Sequence, residues 1–205
     1  MMYCSPWDED VTWNRRVITA ASELVLVLAY VKRAVLRVVD DGLNDDKIMG
    51  DIRAATEAAE EFMDRTLAPT TLALVMDRFP YGGIRLPRSS PLISIVSFDY
   101  VDENGADQSL AVSPADYTLV EGGPISPSWL YPLPDASWPS TRYQQNAVTI
   151  TYQAGYATNA EIPPRFLTGI ELMVAELYKQ RSMSVSGTST IPATIQPERF
   201  WTRVI

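Results

Sequence analysis

Residues 147–182 read AVTITYQAGYATNAEIPPRFLTGIELMVAELYKQRS and decide the fold class. The first part alternates. Val148, Ile150 and Tyr152 fall on one side, the period of a half-buried strand over Ala147 to Tyr152. Pro163 and Pro164 then stand where proline is tolerated, in the first turn of a helix. Beyond them Leu167, Ile170, Val174, Leu177 and Arg181 recur at helical spacing to about Ser182. A strand thus passes directly into an amphipathic helix.

Upstream, the same two periods are kept apart. Residues 1–68 hold a single proline, Pro6, and read as helical after the first dozen or so. Within Ala20 to Val39, Leu24, Leu28, Val31, Val35 and Val38 mark one helical face, with Lys32, Arg33 and Arg37 on the other. Val25, Leu26 and Val27 are apolar all round, so the helix could instead begin near Val27 after a short extended stretch. Asp40, Asp41 and Gly42 end it, and Asn44, Asp45 and Asp46 offer caps for a second helix. Ile48, Ile52, Ala55, Ala59 and Phe62 give that helix a clean face to about Leu67, with Glu61 placed to pair with Arg65. The short link implies an antiparallel hairpin of helices.

Residues 69–139 contain ten of the fifteen prolines and read as strands. These are Leu72 to Phe79, Leu92 to Val101, Ser109 to Val112 and Tyr117 to Val120, with Asp102-Glu103-Asn104-Gly105 as a hairpin turn. The segment between Val120 and Tyr143 is too long for a plain connector and is expected to be functional or packed over a neighbour. The sequence therefore predicts an α+β protein. It consists of an N-terminal arm (1–19), a small bundle of three main helices (20–68 and 160–182), an inserted Pro-rich antiparallel β lobe (69–159) and an extended tail (183–205).

Composition excludes many activities. The 205 residues include no histidine and one cysteine, Cys4. This removes Ser-His-Asp and Cys-His catalysis, Cys-based zinc sites and intramolecular disulfides. The glycines form neither a dinucleotide nor a phosphate loop. The stretch DDGLNDD hints at calcium, but placing Gly50 at the sixth loop position puts Lys47 and Met49 at ligand positions. It reads as helix capping. A hydrolase using two of the 25 acidic residues has no particular pair to point to. No catalytic, cofactor-binding or metal-binding residue is assigned, and no enzyme is expected. The longest apolar run, Leu24 to Val31, is far short of the roughly 20 residues of a spanning helix. The start, MMYCSPWDED, is acidic where a signal peptide is basic, so a reducing cytoplasm, or a particle assembled there, is expected.

Charge is the informative feature. The net charge is −8. Between Ser89 and Thr141 there is no Lys or Arg, while Asp99, Asp102, Glu103, Asp107, Asp116, Glu121 and Asp135 are all acidic. Arg15 to Asp40 is instead net positive, with Arg15, Arg16, Lys32, Arg33 and Arg37 against Glu23 and Asp40. Such polarity suits head-to-tail packing of copies or a docking face of fixed sign. A basic and aromatic group, Arg78, Phe79, Tyr81, Arg85 and Arg88, could touch phosphates or simply edge a sheet. A second reading makes the chain a monomeric interaction module binding a ligand, such as a carbohydrate, on the loop 121–143 with Trp129, Tyr131 and Trp138.

Several runs, in order, resemble one family. They are Leu28 to Val38, Ile52-Arg53-Ala54-Ala55, Glu60 to Thr66, Phe79-Pro80, Ile84-Arg85-Leu86-Pro87-Arg88, Pro91-Leu92 and Asp99-Tyr100-Val101-Asp102 with Gly105. Most telling is Val148-Thr149-Ile150-Thr151-Tyr152-Gln153-Ala154-Gly155-Tyr156, followed by Ile162-Pro163 and a helix ending Glu176-Leu177-Tyr178-Lys179-Gln180-Arg181. From Leu28 to Arg181 the chain resembles the head–tail connector (adaptor, head-completion) proteins of long-tailed phages, prophages and gene transfer agents. The first 20 residues, the Val120–Tyr143 loop and the tail match no family pattern. The resemblance implies a structural protein without cofactors, located at the head–tail junction of a virion or phage-like particle. It would form a ring, usually dodecameric, under the portal protein and dock a stopper or tail-terminator. Double-stranded DNA would pass through without specific binding, and no membrane would be involved. By analogy Phe200, Trp201, Val204 and Ile205 become candidates for a portal anchor, and the seven lobe acids would face the channel or the tail. An acidic wall agrees physically, since basic walls would hold phosphates.

Overall fold

The computed structural model describes residues 12–21, 23–38, 42, 44–112, 116–123 and 126–179. The chain divides into two compact units, one of residues 1–20 and 69–155 and the other of 21–68 and 156–205. The architecture is α+β, with helices in one unit and antiparallel sheets in the other.

In the β unit, strands β1 (Trp13–Thr19), β2 (Thr70–Met76), β8 (Val148–Ala154), β4 (Leu92–Val101) and β5 (Asp107–Ser109) form a sheet in the order β1-β2-β8-β4-β5. All its pairs are antiparallel. A second sheet has the order β3-β7-β6, from β3 (Ile84–Arg85), β7 (Trp129–Pro132) and β6 (Tyr117–Val120). β8 is central and alternates strictly, with Val148, Ile150, Tyr152 and Ala154 buried. This is the strand read from the sequence, two residues longer at its C-terminal end. Leu72, Leu74, Met76, Phe98, Tyr117, Leu130 and Trp138 complete the core. β4 carries two register shifts, between Leu92 and Ser94 and between Ile95 and Ser97. These bulges leave Ile93 and Val96 exposed while Ile95 and Phe98 keep facing the core.

Two parts of this unit differ from expectation. Residues 13–19 were assigned to an N-terminal arm, in a stretch read as helical after the first dozen residues, yet form β1, an edge strand paired with β2 from Trp13↔Met76 to Thr19↔Thr71. The segment 121–143 contains β7, and Trp138 from it is buried. Trp138 stacks on Phe79 at 5.4 Å between ring centroids and donates Nε1–H to the Gly82 carbonyl at 2.8 Å. A buried indole is favoured where its N–H has such a partner.

Buried serines fasten the 86–90 segment to 122–128. Ser89 Oγ donates to the Leu86 carbonyl (2.7 Å) and accepts the Ser128 N–H (2.8 Å), and Ser128 Oγ donates to the Ser89 carbonyl (3.1 Å) and accepts the Gly122 N–H (3.0 Å). Gly122 is required here, because a Cβ would lie 2.1 Å from the Ser126 carbonyl oxygen. Tyr152 donates its hydroxyl to the Pro87 carbonyl at 2.6 Å, so this buried ring is also satisfied.

Among the described residues, the helical unit contains three main helices and a short 3-10 turn at Asn159–Glu161. α1 starts at Leu28–Tyr30 after an extended Val27 and continues over Val31–Leu36 in a wider winding closed by i→i+5 hydrogen bonds. Of the two starting points read from the sequence, the later is found, and Val25 and Leu26 are buried ahead of the helix. The wider turn rotates the chain less per residue. Lys32, expected on the outer side, follows Val31 inward, is only 3% exposed and pairs with Asp45.

α2 (Asp45–Met63) buries Ile48, Ile52, Ala55, Ala59 and Met63. Met63 replaces the expected Phe62 at the centre of the face, and Phe62 packs at its margin. The helix ends at Met63, four residues before the predicted stop, with Asp64 after it in the left-handed region (φ 51°). Arg65 therefore leaves the helix before the expected pairing with Glu61 applies. It is buried over the Phe166 ring, 5.5 Å from its centroid. The carboxylate of Glu60 accepts the Leu67 N–H at 2.7 Å, which fixes the exit.

α3 (Pro164–Lys179) buries Phe166, Ile170, Met173 and Val174, with Leu167 and Leu177 at the edge of its face. Asn159 donates to the Leu24 carbonyl at 3.0 Å and ties the turn before α3 to the chain leading into α1.

Candidate functional site

Two kinds of surface were singled out from the sequence, the acidic residues of the β lobe and the aromatic and basic groups. The β4–β5 hairpin brings Asp99, Asp102, Glu103 and Asp107 together at one edge of the large sheet. Asp99 accepts the Ser109 hydroxyl at 2.6 Å. Asp102 shapes the turn, with Oδ1 accepting the N–H groups of Asn104 and Ala106 at 2.9 Å each and Oδ2 accepting the Gln108 amide at 3.2 Å. These bonds, that from Ala106 foremost, hold its carboxyl below the usual carboxylate range, so it stays charged. Asp116, at the start of β6, accepts the Ala111 N–H at 2.8 Å and so joins the same rim. Burial, and secondly the Asp116 charge, push the Tyr117 hydroxyl above its ordinary value.

The remaining two acids are placed differently. Tyr117 pairs with Pro132 and Val120 with Trp129. Asp135, just past β7, thus lies toward the Asp116 end of the small sheet, and Glu121, just past β6, at the opposite end. Arg142 reaches over this acidic turn, its guanidinium 2.5 Å from where a Cβ on Gly105 would stand. The rim is therefore five acids wide with one cation laid across it.

The aromatic loop is divided by the fold. Trp129 and Tyr131 stand two residues apart on β7 and stack at 6.1 Å, with Tyr131 exposed. Trp138 belongs to the core, so the three rings do not make one ligand platform. The basic and aromatic group is also split. Phe79 packs against Phe98, Tyr100 and Trp138, Arg88 is buried, and Tyr81 is exposed. A surface cleft of about 640 Å³ is lined by Thr12, Asp77, Arg78, Thr141, Arg142 and Tyr143. Asp77 there accepts the Asn146 N–H at 2.9 Å.

Among the described residues, no three acidic or cysteine side chains converge as metal ligands, and Asp45 of the DDGLNDD stretch pairs with Lys32. No helix among them is long and apolar enough to cross a membrane. Phe200, Trp201, Val204 and Ile205 lie outside the described residues, as does Cys4.

Sequence reasoning missed the basic edge. Arg15 and Arg16 had been counted only in a net positive stretch, yet they sit on β1 beside exposed Trp13, Val17 and Ile18. The signal was weak, because an edge strand exposed on both faces shows no alternation.

No protein-family model and no curated protein matches the sequence. Solved structures do match. The fold is shared with a chain in the neck of an empty GTA particle computed with C6 symmetry, at 22% identity and a TM-score of 0.76, covering 94% of this chain and 97% of that one. It is shared equally with a chain in the virion of a native gene transfer agent (GTA) particle, at 22% identity and a TM-score of 0.75, covering 93% and 97%. A third is in the neck of a native GTA particle computed with C12 symmetry, at 20% identity and a TM-score of 0.73, covering 94% and 97%. Both units, in one chain order, thus make a fold also found in GTA particles.

Proposed function

We propose that the protein is a structural component of the head–tail neck of a tailed phage or phage-like particle. In this reading it is an adaptor that forms a ring, of twelve copies, beneath the portal, extends the DNA channel and docks the stopper or tail. The observation that carries it is the fold, which extends over 94% of the chain onto a GTA neck chain. The net charge of −8 supports it, since an acidic wall lets DNA slide where a basic one would retain phosphates. Phe200, Trp201, Val204 and Ile205, at the end of a Ser- and Thr-rich stretch, are the proposed portal anchor, and the lobe acids not engaged between copies face the channel or the tail. No catalytic step is assigned to the chain.

Removing the gene from its particle-producing cell tests the reading. DNA-filled heads without tails are expected, with tails restored by the full chain but not by a chain lacking 183–205. Normally tailed particles in the absence of the gene would contradict the proposal.

A further inference from the structure

The five-stranded sheet ends in two unlike edges. β1 forms one of them and, among the described residues, pairs only with β2. Its register sets Trp13 opposite Met76 and Val17 opposite Leu72, and those β2 residues line the core. Directly opposed residues share a face of the sheet. Trp13 and Val17 therefore continue the core face outward, where they are 50% and 54% exposed. Ile18 beside them is 57% exposed. A seven-residue edge of this kind invites another chain unless it is covered.

The charges name the occupant. Residues 12–21 carry Arg15 and Arg16 and no acid. The opposite edge of the same sheet is the β4–β5 hairpin, with Asp99, Asp102, Glu103 and Asp107 on it and Asp116 bonded to Ala111 just beyond β5. Arg142 offsets one of those charges and leaves the edge negative. β5 itself is exposed along its whole length. One sheet thus offers an apolar, basic edge and an acidic edge, which complement each other between copies and repel between like edges. An interface of two different edges is heterologous, so it repeats from copy to copy and closes wherever the rotation allows.

We propose that copies of this chain join head to tail through this sheet, with the β1 edge of one copy seated against the acidic β4–β5 hairpin of the next. The inference rests on the neck reading for the number of copies and the closure of the ring. Arg16 on β1 and Asp107 on β5 each carry a charge of one of the two edges. The exposed Trp13 and Val17 are covered by the neighbour, and the contact weakens as salt rises.

Charge exchange tests it. Association of the full-length chain is followed by sedimentation velocity, alone at high concentration and with the portal ring from the same locus. Arg16→Glu and Asp107→Arg should each weaken association at least tenfold. An equimolar mixture of the two variants should restore it, because each altered edge then meets the opposite sign, and so should both changes in one chain. Single variants that associate like the wild type overturn the proposal. So does a mixture that fails to recover, or a wild-type chain that stays monomeric under both conditions. Association lost on removing 180–205, with both reversals silent, assigns the edge to that segment and overturns it as well. Binding to the portal is read separately. Wild-type capture with both reversals silent refutes the edge contact and leaves the neck reading standing, whereas absence of capture counts against the neck reading.

Discussion

Phe98→Ala is expected to cost about 3–5 kcal/mol, the range for emptying a large aromatic site in a core. Phe98 is fully buried on β4 and meets three other rings, Phe79 at 5.8 Å, Tyr117 at 5.8 Å and Trp138 at 5.7 Å. Those rings come from the 79–82 turn, from β6 and from the segment after β7, so one side chain joins both sheets. Of these neighbours Trp138 is held by its hydrogen bond to the Gly82 carbonyl and cannot simply collapse into the space. Such a loss is a large share of the total stability of a typical domain. Phe98→Leu, which keeps most of the volume, should cost about 1.5 kcal/mol. Tyr143→Ala, at a side chain 99% exposed, should stay within about 0.5 kcal/mol. Urea unfolding of the three variants measures this. Equal effects at positions 98 and 143 would contradict the core described.

Asp45→Asn should destabilise the helical unit by about 2 kcal/mol, while Lys32→Met should stay within about 1 kcal/mol of the wild type. The asymmetry follows from burial. Lys32 has a side chain 4% exposed, against 32% for Asp45. Neutralising Asp45 leaves an ammonium buried beside a carbonyl-bearing amide, which is the costly half of breaking a buried pair. Partial exposure of Asp45 places the figure below that of a fully buried pair. Lys32→Met keeps the aliphatic stem against the bundle and removes the buried charge, while the Asp45 side chain is about one-third exposed. The double variant should resemble Lys32→Met. Denaturant midpoints decide the point, and Lys32→Met proving the more harmful would mean that the ammonium is not buried as described.

Where the sequence was readable, it was because a periodic pattern met a partner on one face only. β8 alternates strictly because it is central, with the core on one side, and the step into α3 through Ile162 and Pro163 follows from proline chemistry. The β4–β5 hairpin was marked by Asp102 and Gly105, whose turn bonds are local. The misreadings share a different cause. β1 owes its conformation to β2, more than fifty residues away, and its own side chains point to solvent on both faces. β7 is hidden in a Pro-rich segment because its partner β3 lies more than forty residues upstream and no tight turn marks its pairing with β6. Lys32 is buried because the helix winding changes at Val31, and no simple 3.6-residue pattern carries that change. For the site, composition located the acidic lobe, but only the fold separated Glu121 from the rim and put Trp138 in the core. The apolar, basic edge at β1 became visible once the strand order was known.

These elements converge on a single physical picture. A compact β unit carries opposite charges at the two edges of one sheet, and its fold is one also found in GTA necks. The most direct test is native mass spectrometry of the full-length chain mixed with the portal ring from the same locus, beside the chain lacking 183–205. The account predicts about twelve copies on one portal ring for the full chain and their loss for the shortened one. Twelve copies retained without 183–205 would move the portal contact elsewhere on the chain. No copies bound in either case would contradict the neck reading itself.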